Sequence, residues 1–86
     1  MTGCTPTVSP TILRVGGYRF YFFSREESRP HVHVQCGGGE AKIWLEPRIA
    51  VAGNAGLTPT QLKTALRIVE GYHDEIREAW KTYFAG

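Results

Sequence analysis

The sequence predicts an α+β fold, with two β-hairpins forming a roughly four-stranded antiparallel sheet packed on one face by a long C-terminal α-helix. Three observations carry this expectation. Segments rich in β-branched and aromatic residues are separated by runs of glycine, and within them polar and apolar residues alternate at period two. After Thr58 the apolar residues recur instead at three- and four-residue steps, the period of a helix with one buried face.

Residues 1–10 hold Thr, Ser, Pro and Gly with hardly any apolar content, the composition of a disordered N-terminal tail, so one folded domain is expected over 11–86. Thr11–Val15 and 18–24 flank Gly16-Gly17, which can supply the positive φ of a two-residue hairpin loop. A charged loop, 25–30, ends in Pro30 just ahead of the next strand, where a missing backbone donor does least harm. His31–Cys36 and 40–46 then read as a second hairpin around Gly37-Gly38-Gly39, stopped by Pro47. The short apolar run 49–52 reads either as a fifth edge strand or as one helical turn, and the glycines in 53–56 break it.

Thr58-Pro59-Thr60-Gln61 is a helix start, with Thr58 as N-cap, Pro59 at the first helical position and Gln61 placed to close a capping box. Leu62, Leu66, Val69, Tyr72, Ile76, Trp80 and Tyr83 continue it as one apolar stripe. At about 1.5 Å per residue over about 25 residues such a helix outruns a short strand. It must fold back at Gly71, cover the edge of the sheet, or pack its Trp80, Tyr83 and Phe84 end on another protein.

At 86 residues the chain is long enough for one core, and a second copy or a partner protein would supplement its modest burial. Ten Lys and Arg against eight Asp and Glu, a formal charge of +2, do not announce a nucleic-acid binder or a membrane-surface protein. No run approaches the ~18 apolar residues of a membrane span and no secretory signal opens the chain, so the expected location is cytoplasmic, with no membrane association. Cys4 and Cys36 are too isolated for a zinc knuckle or a disulfide framework and read as reduced thiols.

Strand alternation places Val32, Val34 and Cys36 on one face with Ala41, Ile43 and Leu45, and His31, His33 and Gln35 on the other with Lys42, Trp44 and Glu46. Tyr18, Phe20 and Phe22 make the better core set, which adds Arg19, Tyr21 and Phe23 to the open face. An uncovered sheet bearing aromatic, basic and imidazole groups suits base stacking and phosphate contact, as on single-strand RNA-binding sheets. Equally, Tyr21, Phe23 and Trp44 suit a minor core at a homo-oligomer or partner interface.

His31 and His33 could act as base and acid in cleaving an RNA phosphodiester through the 2′-hydroxyl, with Lys42 or Arg19 neutralising the developing charge. Two imidazoles alone leave a zinc site short of a third protein ligand, which Glu46, Glu40 or His73 would have to supply, so no metal and no cofactor is assigned. Catalysis and binding both stay open at this point. The alternating charges of Lys63, Arg67, Arg77 and Lys81 with Glu70, Asp74, Glu75 and Glu78 suit a solvated helix face.

Pro10-Thr11-Ile12-Leu13-Arg14-Val15-Gly16-Gly17-Tyr18-Arg19-Phe20, then Pro30-His31-Val32-His33-Val34, Gly39-Glu40-Ala41-Lys42-Ile43-Trp44-Leu45-Glu46-Pro47 and Trp80-Lys81-Thr82-Tyr83-Phe84, resemble in order the bacterial family catalogued as domain of unknown function 4160. The resemblance runs from about Ser9 to Gly86 and makes 1–7 read as an extension. It implies a small stand-alone protein encoded beside another small domain, an arrangement similar to toxin and antitoxin gene pairs. The layout is also similar to small mRNA-cleaving toxins of double-stranded-RNA-binding-like fold, whose N-terminal helix has no counterpart here. The expected function is therefore that of one component of a two-gene, toxin–antitoxin-like module that binds the product of an adjacent gene. The binding surface would be the sheet face (Tyr21, Phe23, Trp44, Glu46) or the helix end (Trp80, Tyr83, Phe84). The alternative is an RNA-binding protein or metal-independent ribonuclease using His31 and His33.

Overall fold

A computed structural model of the chain describes residues 11–22 and 29–83; the predicted tail 1–10, most of the charged loop, Cys4, Phe23 and Phe84 lie outside the described residues. Among the described residues five strands form one antiparallel sheet in sequence order: β1 (Thr11–Val15), β2 (Tyr18–Tyr21), β3 (His31–Cys36), β4 (Gly39–Trp44) and β5 (Ala50–Ala55). Two helices follow, α1 (Pro59–Gly71) and α2 (His73–Tyr83). The sheet thus has one strand more than the four expected, and the expected long helix is two.

Both hairpins close with two-residue loops. Val15 pairs with Tyr18 around Gly16-Gly17, and Cys36 with Gly39 around Gly37-Gly38. The first loop residue has φ 59° at Gly16 and 58° at Gly37, a left-handed conformation that glycine adopts without steric cost. The third glycine of the triplet is therefore not loop. Gly39 opens β4 and is buried, because the chain leaving β5 crosses directly over it. A Cβ at Gly39 would lie 2.5 Å from the Gly56 carbonyl carbon and 2.7 Å from the Leu57 nitrogen.

That crossing fixes where α1 begins. Asn54 accepts from the Leu57 N–H at 3.0 Å and donates to the Leu57 carbonyl at 3.1 Å, closing a tight bend through Gly56 at φ 102°. The capping box follows as expected. Thr58 Oγ1 accepts from the Gln61 N–H at 3.1 Å, and Gln61 Oε1 accepts from the Thr58 N–H at 2.9 Å. Gln61 Nε2 also reaches Cys36 Sγ at 3.7 Å, so the first turn of α1 sits over the end of β3 and Cys36 faces the helices.

The core lies between the sheet and the helices. Phe20, Phe22, Val32, Val34, Ile43, Leu45, Ala65 and Val69 are wholly buried, with Ala41, Leu57 and Ile76 nearly so. The helical stripe changes in one respect. Ala65 belongs to the core, whereas Tyr72 is exposed because it stands at the joint between the helices. There φ is −113° and ψ 23°, yet Tyr72 N–H still reaches the Ile68 carbonyl and Ile76 N–H the Tyr72 carbonyl. The long helix is bent at Gly71-Tyr72, the break that its excess length demanded. No helix is long and apolar enough to cross a membrane among the described residues.

Gly39→Ala is expected to cost at least about 3 kcal/mol, since the added methyl meets backbone rather than a flexible side chain. Gly53→Ala, with nothing within 4 Å of the new carbon, serves as the control and should leave stability nearly unchanged. Urea unfolding of the two variants checks the contrast.

Candidate functional site

Register sets which side chains share the face away from the helices. Tyr21 stands opposite His33, His33 opposite Lys42, Arg19 opposite Gln35, Gln35 opposite Glu40 and His31 opposite Trp44. Directly opposed residues point to the same side. The expected grouping of Arg19, Tyr21, His33, Lys42 and Trp44 is therefore present, and Glu40 joins it.

These groups hold one another. Arg19 donates through Nε to Thr11 Oγ1 at 2.6 Å and through Nη1 to Gln35 Oε1 at 3.3 Å, while its guanidinium lies 4.6 Å from the centre of the Tyr21 ring. The other side of the same network is made by Tyr21, which stacks on His33 with centroids 5.5 Å apart and donates its hydroxyl to Glu40 Oε1 at 3.0 Å. Only 5 % of Tyr21 is exposed, so its ring is a structural bridge across three strands and not a platform for an incoming base. At the other end of the face Arg29 lies 4.0 Å from the Trp44 ring and Lys42 Nζ 4.8 Å from it.

Burial and the neighbouring carboxylate act on the Tyr21 phenol in the same direction. Desolvation raises its pKa first, and the hydrogen bond to Glu40 and that residue's negative charge raise it further against the lowering effect of Arg19, pushing it up from 10.0 to about 12.

Two expected members behave otherwise. His31 is fully buried, although alternation aims it at the open face. Trp80 of α2 reaches round the end of the sheet and lies 5.1 Å from the His31 ring, with Trp44 at 5.8 Å and His33 at 5.3 Å on its other sides. Its Nδ1 is 2.7 Å from the Arg29 carbonyl, an oxygen that can only accept, so the hydrogen is on Nδ1. In this arrangement His33 is partly exposed and His31 is not, and a polymeric substrate cannot touch both imidazoles at once.

Glu46 also leaves the group. The ladder ends at Trp44, so alternation no longer applies, and the Glu46 carboxylate pairs with Arg77 of α2 while its carbonyl accepts from Arg29 Nε at 2.8 Å. The helix end is likewise used inside the fold. Trp80 meets Phe22 edge-on at 5.3 Å and Tyr83 lies 5.5 Å from the same ring. His73 of α2 is engaged at the Leu45 carbonyl, 3.3 Å away. Among the described residues no three His, Cys, Asp or Glu side chains are placed to share a metal ion.

What the face offers to a ligand is a shallow groove of about 280 Å³ along β4 and β5. His33, Glu40 and Lys42 form its polar wall, and Gly53 and Ala55 leave it open on the other side. Sequence reasoning names Glu40 only as a possible third metal ligand, without placing it on this face, and misses the groove. The signal for Glu40 was present, since it precedes Lys42 by two residues on the same strand.

Among known proteins, the sequence matches the family described as domain of unknown function (DUF4160) over residues 17–81. No curated protein and no solved structure matches the chain.

Because the raised phenol is an acid held in its neutral form, the stability it contributes is fully present below pH 10, its unfolded value, and is lost as pH rises towards 12. Ultraviolet titration of tyrosinate should show one late-ionising phenol that disappears in Tyr21→Phe. In Glu40→Gln it should move back towards 10.0, because one charge and its hydrogen-bond bias are removed.

Proposed function

The chain belongs to the family described as domain of unknown function (DUF4160), and from that premise we propose that it is a binding module of a two-gene, toxin–antitoxin-like pair. It engages a partner protein encoded beside it, through the open face of the sheet. The observation that carries this reading is the groove beside His33, Glu40 and Lys42, whose walls are held in place by hydrogen bonds and ring contacts on three neighbouring strands. A preorganised polar groove loses little side-chain freedom on binding. It also fits an extended polar segment better than a small molecule, being open and shallow.

Two further facts favour the sheet face over the helix end, and binding over paired-histidine catalysis. Trp80 and Tyr83 pack against Phe22, so their apolar area already serves the core. His31 lies under Trp80, which removes one half of an acid–base pair from contact with substrate. The protein operates in this reading without cofactor or metal, and inside the cell.

Single-stranded RNA is the second reading, favoured by Arg29 and Lys42 against Trp44 and by Arg19 against Tyr21. Those three cations against Glu40 gather on one face a positive balance equal to the formal +2 of the whole chain.

Co-expression with the adjacent gene product, followed by size-exclusion chromatography, separates the two. Co-elution is expected, and Lys42→Glu should weaken it by about tenfold, roughly 1.4 kcal/mol, with the circular dichroism unchanged. Failure of the wild-type proteins to elute together, with no effect of one on the other's toxicity, removes the partner reading. Salt-dependent retention of a labelled oligoribonucleotide, lost in Lys42→Glu, would support the RNA reading in its place.

A further inference from the structure

Of the two edges of the sheet, β1 carries a charge and β5 does not. Pairing is irregular along both, between Thr11 and Leu13 in β1 and at Ala52 in β5, but β1 also presents Arg14. An edge charge is a device by which sheets discourage further strand pairing. β5 is Ala50-Val51-Ala52-Gly53-Asn54-Ala55, with neither a charge nor a proline. Five of its six residues are exposed, and no strand lies beyond it among the described residues. The helices do not extend over it either. Val51, opposite the wholly buried Ile43, is 39 % exposed.

The pairing of β5 with β4 makes it self-complementary. Ala55, Gly53 and Ala50 stand opposite Glu40, Lys42 and Trp44 of the open face, while Asn54 and Val51 stand opposite Ala41 and Ile43 of the core face; Ala52 is the extra residue of a bulge. From Ala50 to Ala55 the strand therefore reads open, core, extra, open, core, open. Turn a copy end for end about an axis between Ala52 and Gly53, and Ala50 meets Ala55 on the open side while Val51 meets Asn54 on the core side. A regular strand of this length has its two ends on opposite faces, and cannot match itself in that register over its whole length.

We infer that β5 is a dimerisation edge at which a second copy of this chain pairs antiparallel, joining the two sheets into one. The two-fold pattern of faces selects a second copy, since a strand of unrelated sequence has no reason to match it. No charges meet across the pairing, and the exposed Val51 acquires cover from Asn54 of the second copy. The inference does not depend on the sheet-face reading above, because it concerns the purified chain alone.

Sedimentation equilibrium on the wild-type protein and two variants tests it. Ala52→Glu brings two carboxylates together beside the axis, and Ala52→Lys two ammonium groups, at an exposed position. The wild type is expected at twice the mass of one chain, each variant alone at the mass of one chain, and their equimolar mixture at twice that mass again. A wild type that stays at single-chain mass at high concentration, variants that remain dimeric, or a mixture that stays monomeric would overturn the inference. If the variants lose their circular dichroism, hydrogen exchange of the wild-type β5 amides decides instead. Protection that rises with protein concentration supports the edge, and protection independent of it overturns the edge.

Discussion

The structure depends first on the side-chain alternation of β3, the central strand. Its neighbours on both sides read their register from it, with Val34 between Phe20 and Ala41 on the core side and His33 between Tyr21 and Lys42 on the other. A slip of one residue would carry Val32 and Val34 into solvent and both imidazoles into the core. Burial of those two valines and their partners Phe20 and Ile43, each wholly enclosed, is worth about 1.5–3 kcal/mol per side chain and fixes the register. The polar network on the reverse face follows from that choice. Arg19, Tyr21, His33, Glu40 and Lys42 meet because the core residues between them have to.

A second constraint sets the helices. Gly39 lets the backbone at Gly56 and Leu57 pass at a distance no side chain would allow, and that passage delivers Thr58 to the end of the sheet where α1 begins. The bend at Gly71-Tyr72 then turns α2 so that Trp80 and Tyr83 return to Phe22. The consequence reaches the candidate site. Trp80 touches Phe22 and His31 together, so the residue that finishes the core also withdraws one histidine from the surface.

These constraints explain what the amino-acid sequence discloses and what it hides. The glycine pairs, the alternation of His31–Cys36 and the capping box at Thr58 are local features with local causes, and the structure keeps all three. Alternation gives a side chain's direction but not what lies over it, which is why His31 is aimed outward and yet enclosed. It also fails beyond the last ladder pair, where Glu46 turns to Arg77. β5 was ambiguous because Ala, Gly and Asn have poor strand propensity, and its pairing comes from β4 rather than from its own sequence. Gly39 looked like loop because a requirement for missing bulk leaves no mark different from a requirement for positive φ.

The two surfaces proposed as functional share one structural cause. β5 is built of small residues, so on the open face Gly53 and Ala55 leave the groove beside His33, Glu40 and Lys42 unfilled. On its outer edge the same small residues set no charge and no proline in the way of a second strand. Pairing of two copies about an axis between Ala52 and Gly53 would bring the two grooves side by side, with Lys42 of each near the axis through its partner Gly53. The open faces would then form one surface with two equivalent sites, and a partner able to reach both would gain from effective concentration without any new contact. A bulky or charged residue in β5 would close the groove and defend the edge together, so the composition that weakens this strand as a strand is what leaves both surfaces available.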